Sequence, residues 1–207
     1  MECSLNRVDD VVNVKRERCE RGEMIIDDQE YLVKGMQYTI RSAVEKDADT
    51  LCSLRVQLDG ETDNMDREAG EAYIDASGFQ ELIRMDTAKR NNLFLVAVAS
   101  GDIVGYCRCA GSELKRFSHQ AEFGVCVARS FWGYGIGREL LKSSLHWADE
   151  QGIEKVTLKV LATNDKAIRL YKTSGFEIEG VLKRDRRHAD GQYYDTVMMA
   201  RFAHRTR

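Results

Sequence analysis

Two stretches of this chain carry residue types and spacings that can do chemistry. The first is a strand-like run, AEFGVCVA (121–128), then Phe131-Trp132-Gly133-Tyr134-Gly135-Ile136-Gly137, then a helical pattern. Closely spaced glycines let the backbone turn sharply with no Cβ to block a ligand. A helix start leaves several N–H groups unpaired at the positive end of the helix dipole. Together they make a socket for a diphosphate. The second stretch is N-x-x-A-I-x-L-Y-x-x-x-G-F, from Asn164 to Phe176. Asn164 can cap a helix whose inner face holds Ala167, Ile168 and Tyr171. Seven residues are nearly two helical turns, so Asn164 and Tyr171 share one face.

The glycines alone do not name a ligand, because dinucleotide-binding and P-loop proteins use the same strand, turn and helix. The Walker Lys-Ser/Thr pair is absent here. From Gly133 the run reads Gly-Tyr-Gly-Ile-Gly-Arg, with Arg138 where a dinucleotide fingerprint needs its third glycine. Cys107 and Cys109 stand two apart in a strand-like run and so share a face. They read as buried small residues rather than as a metal pair, and no metal is expected. Cys3, Cys19, Cys52 and Cys126 complete no zinc or disulfide spacing.

Elements must position these stretches. Residues 1–35 are charged and weakly periodic, and are read as an N-terminal extension of unassigned role before a domain over 36–207. MQYTIRSA (36–43) alternates as a strand. A helical pattern follows with Ala48, Leu51, Leu54 and Leu58, then an acidic loop or broken helix over 59–72, then a helix over 78–89. NLFLVAVA (92–99) and IVGYCRCAG (103–111) form a hairpin through Ser100-Gly101-Asp102. The strand at 121–128 leads into the glycine turn and a helix ended by Gly152. KVTLKVL (155–161) is a strand, and Gly175 stops the helix that Asn164 begins. FEIEGVL (176–182) and YYDTVMMARF (193–202) are strands joined by a basic connection. The order implies one α/β domain, a mixed and mostly antiparallel central sheet with flanking helices.

Composition narrows the classes. The chain has 207 residues, 43% of them hydrophobic and 31% charged, with a net charge of −3. That balance fits a soluble globular domain and offers no basic surface for nucleic acid. No apolar run approaches the roughly 20 residues that span a bilayer, so no membrane partner is expected. The N-terminus lacks the apolar core of a secretory signal, and the cytoplasm is the expected compartment.

The run VCVARSFWGYGIGRELL, followed about twenty residues on by LKVLATNDKAIRLYKTSGFEIEG, resembles the GNAT superfamily of N-acetyltransferases. The turn looks most like the branch of ribosomal-protein and small-amine acetyltransferases. The resemblance covers 120–182 closely and 36–202 loosely. It implies acetyl-CoA as co-substrate and an amine acceptor, which could be a small amine, an amino acid, or a protein N-terminus or lysine. It implies that Val125, Cys126 and Val127 pair with the pantetheine arm along a splayed strand. The diphosphate loop maps to Trp132, Gly133, Tyr134, Gly135, Ile136 and Gly137. Asn164 matches an Asn that contacts the cofactor, and Tyr171 the Tyr that protonates the departing thiolate. Lys159 stands where some members carry a Glu base. Glu122 then resembles the Glu of the Glu-x-Gly pattern; His119, just before that strand, could also shuttle a proton, and an ordered water is the third candidate base. The acidic residues Asp59 to Glu71 lie where the family covers its acceptor. A homodimer is an open assembly state, and a CoA-binding regulatory or interaction module is the alternative function.

Overall fold

The computed structural model describes residues 26–203. Eight strands form one sheet: β1 (Gln29–Val33), β2 (Met36–Ser42), β3 (Leu93–Ala99), β4 (Asp102–Gly111), β5 (Gln120–Val127), β6 (Lys155–Leu161), β7 (Glu177–Arg187) and β8 (Tyr193–Phe202). The order is β1-β2-β3-β4-β5-β6-β8-β7. Every neighbouring pair is antiparallel except β5 and β6. Four helices flank it: α1 (Ala48–Glu61), α2 (Ala76–Ala88), α3 (Ile136–Gln151) and α4 (Asp165–Thr173). The mixed, mostly antiparallel sheet with flanking helices matches the expectation from sequence.

The two faces of the sheet carry separate cores, as strand alternation requires. Leu93, Leu95 and Ala97 of β3 pack with Leu140, Leu141 and Leu145 of α3 and Tyr171 of α4. The intervening Phe94 and Val96 pack with Leu51, Leu54 and Leu58 of α1 and Phe79 and Ile83 of α2. Cys107 and Cys109 are fully buried in the first core, Cys107 with its thiol 3.3 Å from the Ser144 hydroxyl. Among the described residues no group of three His, Cys, Asp or Glu side chains is placed to hold a metal, and no helix is long and apolar enough to cross a membrane.

The sheet begins inside the stretch read as an N-terminal extension. Gln29–Val33 pair along β2, from Gln29 opposite Ile40 to Val33 opposite Met36. Tyr31 stacks on Tyr38 with ring centroids 5.0 Å apart. The boundary at 35/36 therefore falls in a hairpin turn, where Lys34 and Gly35 both have positive φ. Residues 1–25 lie outside the described residues. Two other bounds differ from expectation. α1 runs through Asp59, Gly60 and Glu61, so the acidic loop starts later. β7 continues through the basic run to Arg187, because Arg186 and Arg187 pair with Tyr194 and Tyr193.

Gly105 sets how closely β4 and β5 approach. A Cβ there would sit 2.8 Å from the Cys126 carbonyl oxygen and 3.1 Å from the Val127 Cα. Both are backbone atoms, so the strands themselves would have to part. Gly105→Ala is expected to lower stability by about 1–3 kcal/mol, the usual range for overpacking. Thermal unfolding checks this, with an unchanged melting temperature as the contrary result.

Candidate acetyl-CoA and acceptor cleft

β5 and β6 start as neighbours and then separate. Their pairing runs only from Gln120 opposite Lys155 to Glu122 opposite Thr157. β5 stays paired to β4 through Val127, while β6 follows β8 to Leu161. The β6-side edge of Phe123–Val127 therefore has no strand partner. Unpaired backbone groups need polar partners, and this edge offers them to a ligand. A cleft of about 880 Å³ opens there, large enough for a sizeable cofactor.

One wall is the glycine turn. Gly133 and Gly135 have φ of +87° and +80°, a region that favours glycine. Gly135 is the N-cap of α3 and supplies no side-chain cap. The first N–H groups of a 16-residue helix are thus left for a ligand. Gly133, Gly135, Ile136, Gly137 and Trp132 all line the cleft, as do Val125, Cys126, Val127 and Asn164. Arg138, Lys166 and Arg169 line it too. Three cations beside a helix N-terminus fit the phosphates of acetyl-CoA. Sequence reading missed their grouping, because Lys166 and Arg169 sit on α4 and reach the turn only through the fold.

Two members of the expected loop behave differently. Tyr134 is absent from the cleft lining, and its side chain packs against the main core. Trp132 is 43% exposed. Its indole N–H donates to the Val127 carbonyl at 2.7 Å, which fixes the turn against β5. The Arg129 guanidinium and Lys166 ammonium lie 5.9 and 6.0 Å from its ring centroid. Trp132 is an anchor for the cradle and a platform for the cations around it.

Asn164 caps α4 by accepting the Ala167 N–H at 3.2 Å, and its amide nitrogen remains for a ligand. Tyr171 is buried between Phe123 and Phe176, at centroid distances of 6.5 and 5.7 Å. Its hydroxyl makes no hydrogen bond among the described residues, although the residue lines the cleft. Burial, with a smaller contribution from the nearby Cys126, pushes its pKa up to about 12. The phenol holds its proton throughout the neutral range. The Cys126 thiol is pushed up to about 11, chiefly by burial, against a lowering hydrogen bond from Tyr106. A neutral thiol is a poor nucleophile, so Cys126 is lining.

Glu122 projects from the sheet face opposite Ala121 and Phe123, which are buried in the first core. Its carboxylate is exposed, lines the cleft, and has no hydrogen bond or ion pair among the described residues. His119 lies outside the cleft lining. Its carbonyl accepts the N–H groups of Glu154 and Lys155, a structural place at the start of β6.

Three acids of the acidic stretch are engaged within the protein. Asp59 is buried and receives two hydrogen bonds from Arg67, each 3.1 Å. Glu61 accepts the Arg129 N–H at 2.7 Å. Asp66 pairs with Arg186. On the other side, Arg108 forks onto the buried Asp86, which also accepts from Asn92. Spacing along the chain could not show these pairings.

The comparisons agree with this geometry. A profile of the Acetyltransferase (GNAT) family matches residues 38–176. The L-amino acid N-acetyltransferase AaaT of Escherichia coli is 35% identical over 108 residues, 52% of this chain and 66% of that protein, just under two thirds of its length. A GNAT-family acetyltransferase structure from Streptococcus pneumoniae superposes with a TM-score of 0.78 at 26% identity, covering 80% of this chain and 99% of that one. The ribosomal-protein-alanine N-acetyltransferase of Brucella melitensis gives 0.70 at 27% identity, covering 79% and 99%. With the splayed strands, the glycine turn and the Asn164–Phe176 run all in place, the chain belongs to the GNAT family of acetyl-CoA-dependent N-acetyltransferases.

Proposed function

We propose that the protein moves the acetyl group of acetyl-CoA to a primary amine by direct attack, with Glu122 and Tyr171 handling the protons. The observation that carries this is the gap between β5 and β6, which both residues line from opposite faces of the sheet. Acetyl-CoA supplies a thioester carbonyl carbon activated for attack. Val125, Cys126 and Val127 hold its arm along the unpaired edge, and Gly133–Gly137 with the start of α3 hold its diphosphate. The acceptor enters from the α1–α2 side.

An amine is protonated in water and cannot attack until it loses a proton. Glu122 takes that proton, directly or through one water. As the nitrogen bonds the carbonyl carbon, charge gathers on the oxygen, and an N–H of the unpaired β5 edge is placed to stabilise it. When the carbon–sulfur bond breaks, Tyr171 gives its proton to the thiolate, and the second proton, shed by the nitrogen as the neutral amide forms, restores the phenol through solvent. No enzyme residue becomes acylated. The exposed Ile178, Val181 and Leu182 of the outer strand β7 support a homodimer as the assembly.

Thiol release from acetyl-CoA with a panel of free amines, amino acids, polyamines and peptide N-termini tests the reading. CoA binding without release from any of them is the signature of a regulatory module. Glu122→Gln is expected to slow release most near neutral pH and to flatten the acidic limb of the pH–rate profile. A variant with the parent profile would move the base to another group.

A further inference from the structure

The charges that line the cleft divide into those already satisfied within the protein and those left over. Arg67 is held by Asp59, Arg108 by Asp86, and Glu61 by the Arg129 N–H. Arg138 near the start of α3, and Lys166 and Arg169 in the first and middle turns of α4, stand on the cofactor side. On the acceptor side two charged side chains remain with neither an ion pair nor a hydrogen bond among the described residues: Glu122 and Lys159.

They belong to one face. Val156, Leu158 and Val160 of β6 are buried in the first core, so Lys159 points to the other side, as Glu122 does. Glu122 pairs with Thr157, two residues before Lys159. Two residues along a strand are roughly 7 Å and one strand across about 5 Å, so the two side chains are diagonal neighbours across the opening gap. No ion pair joins them. Opposite charges so placed, facing one cleft, leave room for a ligand carrying both signs.

A third group points the same way. Arg186 of β7 lines the cleft with its side chain 15% exposed, and its Nη2 holds Asp66. Its Nη1 is buried with no hydrogen-bond partner among the described residues. A buried guanidinium nitrogen left unpaired is costly, and an incoming acceptor atom relieves it.

We infer that the acceptor is a free α-amino acid, with its amine at Glu122 and its carboxylate held by Lys159 and the unpaired Arg186 nitrogen. This rests on the transferase reading above and names its substrate. A zwitterion matches one anion and one or two cations at short range. A polyamine would bring a second positive charge against Lys159, and a peptide N-terminus lacks the carboxylate next to its amine.

The test compares L-leucine, L-leucinamide and 3-methylbutylamine, which share a side chain and differ in the carboxylate. Spermidine and an alanine-terminated peptide complete the set. Thiol release is followed, with N-acetyl product identified by mass spectrometry, and amino-acid binding is measured by calorimetry in the presence of CoA. L-Leucine is expected to exceed the amide and the amine at least tenfold in kcat/KM. Lys159→Gln should reduce that ratio about tenfold, mostly through KM, and weaken calorimetric binding of leucine in parallel. Lys159→Arg should restore part of both. Equal rates with leucine and leucinamide, or a preference for spermidine or the peptide, would overturn the inference while leaving the transferase reading intact. CoA binding with no acetyl product from any acceptor would overturn the transferase reading itself.

Discussion

Tyr171→Phe is expected to lower turnover roughly 10–1,000-fold, the range for losing an acid catalyst. The substitution keeps the ring, and with it the contacts to Phe123 and Phe176. Only the hydroxyl is lost. Because that hydroxyl has no hydrogen bond among the described residues, its removal leaves no buried group unpaired. Stability should therefore change little, which separates a catalytic effect from a folding one. Affinity for acetyl-CoA should stay within about twofold, because the deleted interaction is made as the thiolate forms and not in the ground state. The sign of the pKa shift supports the role. A phenol raised to about 12 stays protonated well beyond pH 9, so Tyr171 should impose no alkaline limb below that. Steady-state kinetics with a confirmed acceptor, and CoA affinity measured separately, decide the matter. Turnover preserved within twofold would make Tyr171 a core residue and leave the thiolate to protonate from water.

Gly135→Asp is expected to weaken CoA binding at least tenfold, about 1.4 kcal/mol or more. Three effects act together. Gly135 has φ +80°, which a side chain tolerates poorly. A carboxylate here would occupy the N–H groups that open α3, by capping them itself. It would also bring a negative charge against a diphosphate, in a place where positive charge from Arg138 and Lys166 is gathered. Gly135→Asn serves as the control, since Asn accepts this backbone region and adds no charge. Calorimetry should show Asp well below Asn. Equal affinities in the two variants would mean that backbone strain, not charge, explains any loss.

Much of the fold was readable where periodicity was strong. The β3–β4 hairpin shows as an apolar run, a Ser-Gly-Asp turn and a second run. α3 shows as Leu140, Leu141, Leu145 and Trp147 between Gly137 and Gly152. β1 was missed because only Tyr31 of its five residues is buried, so no alternation marks it. The basic run 183–187 was read as a connection because most of β7 is exposed on both faces and its lysine and arginines look like a loop. Its strand character comes from pairing with β8 alone.

The site was legible in part for a similar reason. Glu122, Asn164, Tyr171 and the glycines sit in local patterns, and all of them line the cleft. Tyr134 has the right place in the sequence, but the turn directs it to the core. The pairing of Asp59 and Asp66 was not legible in the acidic stretch, because their partners Arg67 and Arg186 lie 8 and 120 residues away. Likewise, the significance of Lys159 does not show in its own strand. It follows from the register of β5 against β6 and from which neighbouring charges are already matched.

Acetyl transfer through this cleft is the central step. Its most direct test is to incubate the full chain with acetyl-CoA and the amine panel, then count free thiol and N-acetyl product together. Equal amounts of the two, formed only when an amine is present and sharply reduced in Tyr171→Phe, are the predicted result. Tight CoA binding with no acetylated amine from any acceptor would contradict it.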